Sequence, residues 1–215
     1  MAVEVKICGI TDEEAMDAAI EAEADYVGLV FFPPSPRAVT AERAAELVEF
    51  APVDVTKVGL FVDPDDALLE RVLTRVRLDL LQLHGHESPE RVEAIRLEYG
   101  LPVMKMVAVE RAEDLLAAEP YFAVADRLLF DAKPPKGAVL PGGNALSFDW
   151  SILQGRKWGL PWMLAGGLTA ANVAEAIRQT GAPAVDVSSG VESAPGVKDP
   201  ERIRAFIQAV RQAGA

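Results

Sequence analysis

Eight short apolar or β-branched runs, each followed by a longer stretch of helical period, constrain this chain more than any other feature. They cover residues 3–8, 26–32, 57–62, 80–84, 103–109, 127–131, 162–165 and 184–188. Runs of this length bounded by turn residues read as buried strands. The stretches between them read as helices. Leu69, Val72, Leu73 and Val76 share one face at helical spacing, as do Ile203, Phe206, Ile207 and Val210. Thr11 with Glu14 reads as a capping box. Asp63-Pro64, Ser88-Pro89 and Asp199-Pro200 each place a capping side chain before a proline at the first helical position, and Thr169 opens a further helix. Eight strand–helix units in 215 residues is about 27 residues per unit, which suits a single (β/α)8 TIM barrel spanning 1–215, somewhat shorter than the typical ~250. The rival is an open doubly wound sheet. No G-x-G-x-x-G follows the first run, and eight regular units favour closure.

Strands of a parallel barrel are covered on both faces and should be apolar throughout. Several of these are not, and their polar residues alternate with the apolar ones. Lys6 and Cys8 share one face, with Val5 and Ile7 opposite. Gln82 and His84 are paired in the same way against Leu81 and Leu83, and Asp186 and Ser188 against Val185 and Val187. Asp131 ends its run. The apolar sets pack under helices, and the polar sets point into the barrel and toward the C-terminal mouth, where active sites of this fold lie. Lys6 and Gln82 read equally as satisfied structural groups or as functional ones. Cys8 alone would be an inert buried thiol; its place at a strand end, before Gly9 and a helix, favours reactivity, and Lys6 is a cation able to lower its pKa.

Charge and composition exclude several classes. The net charge is −12, a poor match for nucleic acid or an anionic membrane. No apolar run reaches the ~18 residues of a membrane helix, and no secretory signal is visible at the start, so the chain reads as cytoplasmic. One cysteine and two histidines build neither a disulfide framework nor a metal site. His84 reads as a lining residue and His86 as a solvated one. An anionic ligand would have to be held by local cations and backbone N–H groups.

Seats for such an anion are visible. Gly166-Gly167 follows the seventh run, and Ser188-Ser189-Gly190 follows the eighth. Glycine lets backbone approach an anion closely, and the loops after strands 7 and 8 are the usual phosphate site of this fold. Gly142-Gly143-Asn144 is a third glycine loop, after the sixth run. Arg37 lies beyond three prolines in Phe32-Pro33-Pro34-Ser35-Pro36-Arg37. It reads either as a bidentate carboxylate clamp or as a solvated surface arginine.

These segments resemble the phosphoribosylanthranilate isomerase family of tryptophan biosynthesis. The match runs through Val5-Lys6-Ile7-Cys8-Gly9-Ile10-Thr11, Gly28-Leu29-Val30-Phe31 with Ser35-Pro36-Arg37, and Leu81-Gln82-Leu83-His84-Gly85. It continues through Leu129-Phe130-Asp131, Phe148-Asp149-Trp150, Leu164-Ala165-Gly166-Gly167-Leu168 and Val185-Asp186-Val187-Ser188-Ser189-Gly190-Val191-Glu192. The resemblance implies a TIM barrel with no cofactor and no metal. It would perform an Amadori rearrangement of a small phosphosugar. The expected state is a monomer or weak homodimer, and the charge argues against a nucleic-acid or membrane partner. Carried over, Cys8 is the general base, Asp131 the general acid, and Arg37 the holder of the anthranilate carboxylate. Gly166, Gly167, Ser188, Ser189 and Gly190 seat the phosphate, and His84 and Asp186 line the substrate. One departure stands out: Gly142-Gly143-Asn144-Ala145 occupies a place where the family often has Gly-Gly-Thr-Gly.

Three rivals remain. The histidine-pathway aminoaldose isomerase generally carries an aspartate where Cys8 stands. A synthase acting on the next intermediate needs a lysine and glutamate set that is not found. A non-catalytic phosphosugar-binding barrel would keep the glycine seats without the acid and base.

Overall fold

The expected strands form, each within two residues of its expected ends, and they close into a ring. In the computed structural model, which describes residues 2–134, 137, 142–143 and 146–213, β1 is Glu4–Cys8, β2 Tyr26–Val30, β3 Thr56–Phe61 and β4 Leu80–Leu83. They are followed by β5 (Val103–Val109), β6 (Arg127–Ala132), β7 (Trp162–Leu164) and β8 (Ala184–Val187). All eight pair in sequence order, and β8 returns to β1 in parallel register, with Lys6 opposite Asp186 and Ile7 opposite Val187. The barrel reading holds, and the open-sheet alternative does not.

The outer ring departs from eight full helices. α1 (Glu13–Glu21), α2 (Ala41–Phe50), α3 (Asp66–Leu73) and α4 (Pro89–Tyr99) follow β1 to β4; α5 (Val173–Thr180) follows β7 and α6 (Pro200–Ala213) closes the ring. After β5 and β6 the described residues form only 3₁₀ segments, Ala112–Tyr121 and Trp150–Leu153. Pro120 lies inside the first, where its missing N–H and bulky ring oppose an α-helix. Gly155, at φ 70°, turns the chain away shortly after the second.

Three helix starts shift from their expected places. The Asp12 carboxylate, not Thr11, caps α1 by accepting from Ala15 N at 2.9 Å. Asp65 caps α3; Asp63 is held at φ 46° and accepts from His86 N at 2.6 Å instead. α5 begins at Val173; the Thr169 side chain does not cap it, and the Thr169 carbonyl accepts from Asn172 N and Val173 N. Ser88 and Asp199 cap as expected. Each error is a matter of one to three residues, since Ser, Thr, Asp and Asn compete for the same orphan N–H groups.

Alternation along the strands creates two cores. Val5, Ile7, Val27, Leu29, Leu81, Leu83, Phe130 and Val185 face outward into the helix layer. Tyr26, Val58, Leu80, Met104, Met106, Leu129 and Met163 fill the barrel. Each such aliphatic side chain contributes about 1.5–3 kcal/mol on burial. Below them, Tyr26 donates to Glu4 Oε2 at 2.7 Å, and the Arg127 guanidinium stacks 5.5 Å from the Tyr26 ring. The cleft opens at the opposite, C-terminal end of the strands.

Candidate active site

Inward-facing positions of β1, β4, β6 and β8 deliver the polar residues to the mouth as the alternation predicts. A cleft of about 770 Å³, its open entrance included, is lined by Cys8, Arg37, His84, Asp131, Asp186, Ser188 and the glycine turns, among others. All ten residues expected at the site meet here.

Beneath the cleft sits a charged layer. Lys6 is fully buried and its Nζ lies 2.8 Å from Asp186 Oδ1. Burial alone would pull its pKa down, but the Asp186 carboxylate and the neighbouring Cys8 hold it above the ordinary value. A Cβ placed on Gly28 would lie 3.0 Å from Cys8 Sγ and 3.2 Å from Lys6 Nζ, so the thiol and the ammonium share the space that glycine leaves. Lys6 does pull the Cys8 pKa down, as expected. Burial outweighs it, however, with Asp186 adding to the rise, and the thiol sits above its usual range.

Across the barrel, Asp131 Oδ1 accepts from Ala132 N at 2.8 Å, and Oδ2 lies 3.3 Å from His84 Nε2. The Gln82 amide contacts His84 Nδ1 at 2.9 Å. Gln82 thus positions the imidazole that faces the carboxylate. His86 is solvated at 96% side-chain exposure, as expected.

Arg37 is not a surface arginine. It is buried, and it donates from Nε and Nη2 to the two oxygens of Glu192, at 2.7 and 2.9 Å. Nη2 also reaches Gly143 O at 3.3 Å. A Cβ on Gly143 would fall 2.5 Å from Arg37 Nη1, and one on Gly142 would fall 2.5 Å from His84 Nε2. Gly142 and Gly143 therefore lie against the Arg37 and Asp131 side of the cleft. Asn144 and Ala145, where the sequence departs from the family pattern, lie outside the described residues.

The glycine turns after β7 and β8 are tightly packed. Gly166 and Gly167 have φ of 91° and 63°, the left-handed region that only glycine enters freely. A Cβ on Gly190 would strike the Leu168 carbonyl, so the two turns meet backbone to backbone.

Two clusters had no role in the sequence reading. Glu192 and Lys198 belong to a hairpin of β9 (Glu192–Ala194) and β10 (Val197–Lys198). Burial pushes the Glu192 carboxyl up, but Arg37 and Lys198 pull it further down, below the ordinary carboxylate value. Lys105 and Glu87 form a buried pair at 2.8 Å behind β4, and Glu87 also accepts from Asp63 N and Gly85 N. The signal for both was a charged residue inside an otherwise apolar or turn-forming segment; Glu192 and Lys198 are only six positions apart, but Arg37 and Glu192, and the Glu87–Lys105 pair, meet across long stretches of sequence.

A family model described as N-(5'phosphoribosyl)anthranilate (PRA) isomerase matches residues 5–209. An N-(5'-phosphoribosyl)anthranilate isomerase of Paramagnetospirillum magneticum is 84% identical over 211 residues, 98% of each chain. One of Rhodospirillum rubrum is 59% identical over 212 residues, 97% of each. The crystal structure of phosphoribosyl anthranilate isomerase from Thermotoga maritima superposes with a TM-score of 0.87 at 36% identity, covering 98% of this chain and 99% of that one. A structure of such an isomerase in complex with reduced 1-(o-carboxyphenylamino)-1-deoxyribulose 5-phosphate superposes with a TM-score of 0.84 at 34% identity, with the same coverage.

Proposed function

The chain belongs to the N-(5'-phosphoribosyl)anthranilate isomerase family, and from that premise we propose that it converts N-(5-phosphoribosyl)anthranilate to 1-(2-carboxyphenylamino)-1-deoxyribulose 5-phosphate in tryptophan biosynthesis, with Cys8 as base and Asp131 as acid. The observation that carries this assignment is one cleft holding a thiol and a carboxyl on separate strands, β1 and β6, with a buried guanidinium and two glycine turns in the same lining.

In this mechanism Asp131 protonates the ribose ring oxygen, the C1–O bond breaks, and C1 becomes a Schiff base of the anthranilate nitrogen. Cys8 removes the proton from C2, and the electron pair forms the C1–C2 double bond of an enolamine. Tautomerisation then places a carbonyl at C2 and a proton on C1. C2 is oxidised and C1 reduced within one molecule, so no external redox partner is needed. Burial works against the thiolate that acts as base, and the Lys6 ammonium beside it is the group that stabilises that charge. Arg37 takes the anthranilate carboxylate. Gly166, Gly167, Ser188, Ser189 and Gly190 take the phosphate, and His84 and Asp186 flank the sugar.

Cys8→Ala and Asp131→Asn should each lower kcat by about 10²–10⁴-fold, the usual range for losing an acid or base. Loss of anthranilate-adduct fluorescence follows turnover. Near-wild-type turnover in either variant removes that residue from the assignment. Arg37→Ala should act mainly on KM.

A further inference from the structure

Lys198 is a buried ammonium with all three of its donors engaged, and two of the three bonds go to a single residue. Its Nζ donates to Glu192 Oε1 at 2.7 Å, to Ser188 O at 3.1 Å and to Ser188 Oγ at 3.3 Å. Its side chain has no exposed area. A hydroxyl has one donor and two acceptor positions. With an ammonium occupying an acceptor position, the Ser188 hydrogen is left to point elsewhere, and Ser188 lines the cleft. A hydroxyl polarised in this way is a strengthened donor toward an anion.

The same carboxylate that holds Lys198 holds Arg37. Glu192 Oε1 accepts from both Lys198 Nζ and Arg37 Nε, and Oε2 accepts from Arg37 Nη2 and from Gly196 N. Two bonds to one edge of a planar guanidinium fix its plane. The Nη1 group is the one left uncommitted by Glu192. Burial lowers the Lys198 pKa and the Glu192 carboxylate opposes that shift; with Lys198 charged, the Arg37, Glu192 and Lys198 cluster has one net positive charge in a chain of net charge −12.

We propose that Glu192 and Lys198 are positioning residues for both anionic ends of the substrate: Glu192 fixes the plane of the Arg37 guanidinium, and Lys198 turns the Ser188 hydroxyl into a phosphate donor. The inference rests on the reading of Arg37 as the carboxylate clamp and of the Ser188 turn as the phosphate seat. Neither residue touches the reacting atoms. Their effect falls on binding at the two ends, so KM responds and kcat is largely spared.

Two partial ligands separate the ends: inorganic phosphate and anthranilate, each measured as a competitive inhibitor. Lys198→Met should raise KM and the phosphate inhibition constant about tenfold, leave that of anthranilate within about twofold, and change kcat by less than about threefold. Glu192→Gln keeps the shape and an acceptor oxygen but removes the charge, and should weaken both probes. Ser188→Ala is the control for the seat itself and should weaken phosphate. If Lys198→Met leaves both inhibition constants at wild type while Ser188→Ala weakens phosphate, the positioning role is overturned and the seat stands. If Ser188→Ala also leaves phosphate unchanged, the phosphate-seat reading fails. Should Lys198→Met not fold, Glu192→Gln decides: wild-type inhibition by both probes, with or without a drop in melting temperature, overturns the proposal.

Discussion

Gly28→Ala tests whether the space between β1 and β2 sets the position of the proposed base. The added methyl would lie 3.0 Å from Cys8 Sγ, 3.1 Å from Cys8 Cα and 3.2 Å from Lys6 Nζ. Ordinary van der Waals contact begins at 3.4 Å, so the neighbours must yield by a few tenths of an ångström. The Cys8 backbone is paired with Gly28, and Ile7 before it with Val187, so the ladder resists movement. The thiol and the ammonium move instead. Overpacking costs about 1–3 kcal/mol, and the reduced freedom of the unfolded chain returns about 0.4–1 kcal/mol. The net loss is therefore up to about 2.6 kcal/mol, about 1.3 kcal/mol at mid-range, read as a lower urea midpoint at unchanged slope. A misplacement of 1 Å at a reacting group can cost about 10²-fold in rate, so a few tenths should cost roughly tenfold in kcat. Stability and turnover would thus fall together, with KM little changed. A variant with wild-type kcat and wild-type midpoint refutes the reasoning, because the thiol would then have room that the geometry denies it.

Other perturbations follow from the same charges. Asp186→Asn removes a carboxylate that raises the Cys8 pKa and shares the Lys6 ammonium with the thiol; the pH profile of iodoacetamide alkylation at Cys8 should shift to lower pH, and a shift upward contradicts this. Glu87→Ala strands the buried Lys105 ammonium and should cost about 3–5 kcal/mol in urea unfolding; a loss below about 1 kcal/mol would mean that the Leu83 and Gly85 carbonyls suffice. Glu13 is held by Arg43 at a pKa of about 2, so an NMR titration should find its midpoint there. The folded value is depressed, so the stabilisation from this pair is present above the unfolded pKa of about 4.5 and is lost as pH falls toward about 2.

The barrel was legible because covered strands must be apolar, which made each polar intrusion conspicuous. Lys6, Cys8, Gln82, His84, Asp131 and Asp186 were marked by alternation alone, and the structure brings them to the barrel interior and its mouth. What lies outside that logic was harder to read. Pro120 does not reveal from sequence whether it ends a helix or sits in a 3₁₀ turn. Glu87 and Lys105 are 18 positions apart on a turn and an outward strand face, and only folding makes them partners. Glu192 and Arg37, 155 positions apart, meet across the rim of the barrel. Burial and pairing there are properties of closure, and no local pattern encodes them.

The return of β8 to β1 has a consequence for synthesis. While the ribosome is still making residues 184–187, the sheet is an open ribbon with two raw edges, and the Lys6 ammonium has no Asp186 to meet. Such edges invite pairing with other chains. The cysteine near the start and the serine turn near residue 188 become one site only when the ring shuts, so any truncated product ending before β8 should be both inactive and sticky.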